Sequence, residues 1–455
     1  MAHKKISIFL TLTMLAVGVI GPGAAVENNE LASSVLEPLE YVSGDITKIE
    51  NLLTQELSNS LFATGYGISV RDISDGSIIF ESNAQDSMLP ASLTKLYSAA
   101  SSAITLDPDA RFVTKVKYLD NNVYLVGGAD PQLGTESNLR QADLADLAKE
   151  TAQKLKEFNV FEVNVFVDDL VLGPLQRPAD WSESYFQNSD IHLISALNLD
   201  DPKAPRQAPL DPGITTGQTF ALYLIKNDIK VNGLVFRKKT PEQAFEVSIQ
   251  YSKSISQLLE DTLMISNNQD SEIISRVTSS IAVNDPSTNA ATELILSDVE
   301  KLGISSVDNA ITDASGLSRS NKISPSDFSQ LIYKSIKNPA VEKENIGDAS
   351  KFMISPSIAI PADPWAVFTG LPTGYGLGTM KKRFDEPGSA GRGVVRAKTG
   401  SLNRVITLAG TITTKDNVFL SFAILVNRVV EPANTREVID NLLNKLANCN
   451  CASTL

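Results

Sequence analysis

The chain is poor in the side chains with which many hydrolases move protons or hold metal: 455 residues contain two histidines and two cysteines. His3 lies in an N-terminal stretch expected to be removed. His192 remains, in Asp190-Ile-His-Leu-Ile, among apolar neighbours that suit a structural residue. Zinc hydrolases built on several histidines are therefore disfavoured, and a Ser-His-Asp triad has one histidine to draw on. The cysteines, Cys449 and Cys451, stand at the C-terminus with no histidine close in sequence to complete a metal site. In an oxidising compartment their spacing suits a small local bridge that pins the chain end, and the sequence leaves open whether it forms. An excess of positive charge is also lacking. With 40 Lys and Arg against 53 Asp and Glu the formal net charge is −13, and it becomes −15 once Lys4 and Lys5 leave with the N-terminus. So acidic a chain has no electrostatic reason to bind nucleic acid or an anionic membrane surface. Repeats and low-complexity tracts are absent.

The N-terminus runs from His3-Lys4-Lys5 through an apolar stretch, Ile6 to Ile20, to Gly21-Pro-Gly-Ala-Ala25. Charged, then apolar, then small is the order of a secretory signal peptide, here expected over residues 1–25. A single N-terminal anchor helix is the alternative, although the run is short for a membrane span. No later stretch is long and apolar enough to cross a bilayer. The mature protein is expected to be exported and soluble, periplasmic or extracellular at the cell wall.

The stretch with most chemical promise is Pro90-Ala-Ser92-Leu-Thr-Lys95. It follows a predicted hairpin (66–73 and 78–81, about Asp75-Gly76) and opens a helical run through Leu96, Ala99, Ala100, Ala103 and Ile104. Serine and lysine three apart share one face of a helix. At the helix entrance the hydroxyl also meets unpaired N–H groups and the positive end of the dipole. A neutral lysine there can take the hydroxyl proton and activate the oxygen for attack.

Further along, the alternation over 112–126 predicts a second hairpin, ended by Gly127-Gly-Ala-Asp-Pro131, and 139–158 is amphipathic. Val163, Val165 and Val167 alternate as a strand ending at Asp168-Asp169. Residues 173–212 are polar and proline-bearing and are expected to run over the surface. Residues 220–225 read as helical and 231–237 as a strand candidate. Helical spacing resumes from Ile255 to Ser266-Asn-Asn268 and again over 289–302, and Ser324-Pro-Ser-Asp327 caps another helix. A strand over 394–398 leads into Lys398-Thr-Gly-Ser401, a hairpin follows over 405–426, and a helix over 435–446 closes the chain. A first helix is predicted within 39–61. Strands near both ends with helices between point to one discontinuous α+β domain, interrupted by an insert.

Ser92-x-x-Lys95, Ser266-x-Asn268 and Lys398-Thr-Gly400 each fit an ordinary helix or strand end when taken singly. Together and in this order they form a specific set. The chain resembles the low-molecular-mass class C penicillin-binding proteins, the D-alanyl-D-alanine carboxypeptidase/endopeptidase family. The likeness extends to Gly127–Pro131, Asp313-Ala-Ser-Gly-Leu-Ser-Arg319, Gly378-Thr-Met-Lys-Lys-Arg-Phe384 and Arg396-Ala-Lys-Thr-Gly400. It departs from the family at Asn267, where Asp is common on a side chain not expected to face substrate, and at Ala314, where glycine is common.

The resemblance implies an α+β fold, a serine β-lactamase/penicillin-binding-protein-like transpeptidase domain with an antiparallel sheet flanked by helices. That domain is expected over 26–111 and 246–455, with a mixed α/β insert over 112–245. The insert is short for the group, which implies that a third domain of its larger members is absent. The family chemistry places Ser92, Lys95 and Ser266 as catalytic residues, with Asn268, Lys398, Thr399, Gly400 and Ser401 holding substrate. Ser92 attacks and Lys95 is its base. Ser266 relays a proton to the leaving amine, and Asn268 bonds the substrate amide. Lys398 and Thr399 take the terminal carboxylate, and Gly400 lets the substrate backbone lie along the strand. The oxyanion hole is formed by the N–H groups of Ser92 and Ser401. The Asp313–Arg319 segment reads as a turn supporting the site wall. No cofactor or metal is implied. The implied partners are peptidoglycan stem peptides and cross-links, with β-lactams as acylating inhibitors. A β-lactamase and a non-catalytic wall-binding module are the competing functions on the same fold.

Overall fold

The computed structural model describes residues 42–58, 65–135, 142–175, 177–178, 180–199, 209–337, 348–355 and 363–453. The signal-peptide expectation for residues 1–25 lies outside them. In chain order, α1 (Ile46–Ser58) precedes the hairpin β1 (Tyr66–Asp72) and β2 (Ile78–Ser82), and α2 (Thr94–Thr105) follows. Next come β3 (Arg111–Leu119), β4 (Asn122–Val126), α3 (Leu144–Glu157), β5 (Glu162–Asp168), α4 (Glu183–Gln187) and α5 (Pro212–Lys226). After β6 (Lys230–Val231), β7 (Phe236–Arg237) and β8 (Phe245–Ser254) the helices α6 (Ile255–Ile265), α7 (Asn268–Val283), α8 (Thr288–Lys301) and α9 (Pro325–Lys337) run in succession. The remaining elements are β9 (Met353–Ile354), α10 (Trp365–Thr369), β10 (Val395–Leu402), β11 (Val405–Thr413), β12 (Phe419–Asn427) and α11 (Pro432–Ala447).

The first sheet is antiparallel in the order β10-β11-β12-β1-β2, so strands from both ends of the sequence meet in it. Its central strands are buried on both faces and alternate between two cores. Leu420, Phe422, Ile424 and Val426 belong with Ile439, Leu442 and Leu446 of α11 and Ile49 and Leu53 of α1. Ala409, Ala423 and Leu425 belong with the opposite layer of α2, α6, α7, α8 and α9. Cys449 and Cys451 are joined by a disulfide. Asp45 N donates to Cys451 O at 2.6 Å and Ser453 N to Ser43 O at 2.9 Å, so this end is tied to the start of the fold.

Helix α2 is buried at every position. Its small residues let neighbouring helices approach closely, and its hydroxyls must find partners because burying an unbonded hydroxyl is unfavourable. Ser101 and Thr105 donate to Asp298 of α8 at 2.6 and 3.1 Å, and Ser102 pairs with Thr278 of α7 at 3.0 Å.

The second sheet has the order β6-β5-β4-β3-β8, with β7 added to β5 and β9 to β3. Val116, Val123, Val163, Val165 and Val167 pack there against Leu147, Leu155, Phe220 and Leu224 of α3 and α5. The chain enters by β3 and returns by the neighbouring antiparallel β8, so the expected limits at 112 and 245 fall on two paired strands.

Three readings need correction. Residues 173–212 do not simply run over the surface, because Trp181, Ile191, Ile194 and Ala196 are buried in the core around α2. The strand expected over 231–237 is two short pieces, parted by a turn with Gly233 at φ +64°. Helix α7 was not anticipated from spacing: it buries Ser271, Glu272, Ser275, Arg276, Thr278 and Ser279 beside its apolar residues, which blurs the period.

Candidate active site

Ser92 sits in a 3₁₀ turn, Ala91–Leu93, that leads directly into α2. Ala91 adopts φ +50°, a conformation that L-residues avoid and that the surroundings must enforce. Two glycines do so. A Cβ at Gly316 would lie 1.9 Å from Ala91 O, and one at Gly400 would lie 2.8 Å from Pro90 O and 2.1 Å from Thr407 Oγ1. The Thr407 hydroxyl in turn donates to Pro90 O at 2.9 Å. The clearance that Gly400 provides is therefore toward the Ser92 turn behind the strand, not toward an incoming backbone as expected from the sequence.

Lys95, one helical turn on, is fully buried. Its Nζ donates to Ser92 Oγ at 3.2 Å, to Asn268 Oδ1 at 2.7 Å and to Ser315 O at 2.5 Å. Burial lowers its pKa to about 8, against the opposing pull of Asp313, Glu272 and Asp270. Across the cleft, Lys398 of β10 donates to Ser266 Oγ at 2.7 Å and to Thr399 O at 2.8 Å. Burial holds its amine well below the ordinary value, and the charge of Lys95 lowers it further. Among the described residues, the carboxylates that support the Lys95 ammonium have no counterpart acting on Lys398.

Ser266 ends α6 in the left-handed conformation, φ +61°. Asn267 then caps α7, accepting from Gln269 N at 2.9 Å and Asp270 N at 3.3 Å. Asp and Asn are near equals at such a cap, so the departure from the family pattern is conservative. Capping also directs that side chain away from the cleft, which leaves Ser266 and Asn268 to enter it.

β10 is an edge strand. Its outer side is covered up to Ala397, where Gly374 N donates to Val395 O at 2.8 Å and Ala397 N to Pro372 O at 3.0 Å. Backbone groups alternate along an antiparallel strand, so those of Thr399 and Ser401 also point outward, and here into the cleft. The cleft measures about 580 Å³ and is lined by Ser92, Ser266, Asn268, Thr399 and Ser401 together with Tyr185, Asp190, Leu317, Arg319 and Asn403. That volume suits a small peptide segment.

All eight residues singled out from the sequence converge here, Gly400 from behind the turn. His192 does not line the cleft, and its N–H donates to Gln269 Oε1 at 2.9 Å. Sequence reasoning missed the wall contributed by 182–190. Asn268 Nδ2 donates to the backbone oxygen of Asp190 at 2.8 Å, a contact with no side-chain signal to find. The Asp313–Arg319 turn is held as expected of a supporting element. Buried Asp313 accepts from Trp181 Nε1, Gly316 N, Ser318 N and Asn321 Nδ2 at 2.8, 2.8, 2.6 and 2.7 Å. Arg319 Nη1 donates to Asn403 O at 3.1 Å, so this cation also stands on the cleft wall.

A carboxypeptidase of Mycobacterium tuberculosis is 28% identical over 382 residues, spanning 80% of this chain and 76% of its own. Penicillin-binding protein 4 of Haemophilus influenzae superposes with a TM-score of 0.71 at 18% identity, covering 87% of this chain and 99% of that one. A second structure of that protein, complexed with a β-lactam, gives 0.63 at the same identity and coverage. The profile of the D-Ala-D-Ala carboxypeptidase 3 (S13) family matches residues 47–207 and 206–449, and the chain belongs to that family of serine DD-peptidases.

Proposed function

We propose that this enzyme hydrolyses D-Ala-D-Ala termini of peptidoglycan stem peptides, and D-alanyl cross-links as well, with Ser92 as nucleophile. The observation that carries the reading is Lys95 Nζ at 3.2 Å from Ser92 Oγ, facing a second buried lysine across a cleft edged by a strand. Ser92 Oγ attacks the carbonyl carbon of the penultimate D-alanine while its proton passes to neutral Lys95. The oxyanion lies between the N–H groups of Ser92 and Ser401. The C–N bond breaks, and the leaving amine takes a proton through Ser266. Water then attacks the acyl-enzyme and restores Ser92. Lys398 and Thr399 receive the terminal carboxylate, and Asn268 bonds the peptide amide.

Residues 1–25 act in this reading as an export signal that delivers the enzyme to the cell wall. Among the described residues no helix is long and apolar enough to cross a membrane. Residues 112–245 form the inserted domain in this reading, and the pairing of β3 with β8 near its two ends supports it. The β-lactam complex of the Haemophilus protein supports acylation of Ser92 by penicillins.

The test is incubation of the mature protein with a defined pentapeptide, a cross-linked dimer and penicillin, followed by mass spectrometry. D-alanine release, dimer cleavage and a long-lived adduct on Ser92, absent in Ser92→Ala, are the expected results. Rapid turnover of the adduct without peptide cleavage would point to a β-lactamase. A folded wild type without adduct or product would sink the reading.

A further inference from the structure

Helix α7 carries Asn268 and Glu272 one turn apart on the same face. Asn268 bonds Lys95 directly. Glu272 is buried, and its Oε1 accepts from Ala314 N at 2.9 Å and from Ser315 N at 2.8 Å. The carbonyl of the same Ser315 is the acceptor 2.5 Å from Lys95 Nζ. The Ala314 carbonyl is pinned as well, by Ser98 Oγ and Ser271 Oγ, each at 2.7 Å. We propose that Glu272 is a positioning residue for acylation: it fixes the Ala314–Ser315 peptide so that the Ser315 carbonyl aims the Lys95 amine at Ser92.

This inference rests on the DD-peptidase reading. A buried carboxyl is unfavourable unless its acceptors are used, and both amides it holds belong to one short loop. That loop also abuts the nucleophile, because Gly316, at φ +84°, leaves no room for a Cβ against Ala91 O. A loop released from Glu272 would shift the general base and the Ser92 turn together. Burial first, and then the charge of Asp313, push the Glu272 pKa up to about 7, and Arg276 of α7 opposes that rise. Glu272 in turn supports the ammonium form of Lys95.

The test is single-turnover acylation of the full mature protein by a fluorescent penicillin from about pH 6 to pH 10, with melting curves alongside. Glu272→Ala removes the acceptor and is expected to slow acylation about 100-fold, the scale of a small misplacement of reacting groups. Glu272→Gln keeps an oxygen for both amides and should recover most of that loss. It also removes a negative charge, so the rising limb set by Lys95 should move to lower pH. A purely structural Glu272 would lower the melting temperature and leave the acylation rate of the folded variant at the wild-type level. A folded Glu272→Ala that acylates like wild type overturns the proposal, as does a Glu272→Gln that recovers none of the lost rate. Should Glu272→Ala fail to fold, Glu272→Asp, whose shorter side chain withdraws the acceptor from both amides, takes its place, and a wild-type acylation rate in it overturns the proposal. A wild type that takes up no penicillin overturns the DD-peptidase reading and this inference with it, an outcome distinct from the others.

Discussion

Lys398 donates to the Ser266 hydroxyl at 2.7 Å from a side chain that is completely buried, and burial and the nearby Lys95 charge both oppose its protonation. An incoming carboxylate reverses that balance, because an opposite charge at contact favours the ammonium form. Binding of a carboxylate-terminated peptide to Ser92→Ala should therefore be accompanied by proton uptake. Calorimetry in buffers of different ionisation enthalpy reads this directly. Binding heats that do not depend on the buffer would contradict it. Lys398→Ala should raise KM about 10- to 100-fold, the scale of a lost charge-assisted hydrogen bond.

The same residue burdens the fold. Its folded pKa lies below the ordinary 10.5, so between the two values the unfolded chain binds a proton that the folded chain excludes. Stability then rises with pH through this window and levels off above about 10.5. Lys398→Met removes the excluded proton and should melt higher than wild type at neutral pH, with the gain shrinking toward pH 10. Melting curves at two pH values check both sign and trend, and a variant less stable than wild type at neutral pH would refute the argument.

For Lys95 the consequence is kinetic. A base whose pKa is lowered to about 8 is mostly protonated at neutral pH, so the acylation rate should climb with pH and level off above that value. Lys95→Met should bind peptide and fail to acylate, a loss in kcat rather than in KM. Rapid-mixing acylation across the pH range tests this. A flat profile from about pH 6 to pH 9 would remove Lys95 from the role of base.

How far the site could be read in the sequence depends on what kind of group does each job. Helical spacing puts Ser92 and Lys95 on one face, but that pairing too becomes specific only beside the other two motifs. Ser266, Asn268 and Lys398 were legible only as members of an ordered set. The helix that carries Asn268 was hidden, because Glu272 and Arg276 stand buried where an apolar residue would mark the period. The wall at 182–190 was hidden for another reason. Its polar, proline-bearing sequence resembles a surface loop, and its contact with Asn268 is made by a backbone oxygen. The purpose of Gly400 was misassigned, since only coordinates reveal Pro90 and Thr407 behind it.

That misassignment has a measurable consequence. If Gly400 served only an incoming peptide, Gly400→Ala would impair binding and leave the free enzyme unchanged. Because its Cβ would meet Thr407 Oγ1 at 2.1 Å and Pro90 O at 2.8 Å, the free protein itself should lose about 1–3 kcal/mol, the usual toll of overpacking. Adding Thr407→Ala relieves the first contact and leaves the second, so it should restore part of the melting temperature but not the acylation rate, which depends on the Ser92 turn. Calorimetric melts of the two variants decide the matter, and a Gly400→Ala protein as stable as wild type would return the glycine to the ligand side.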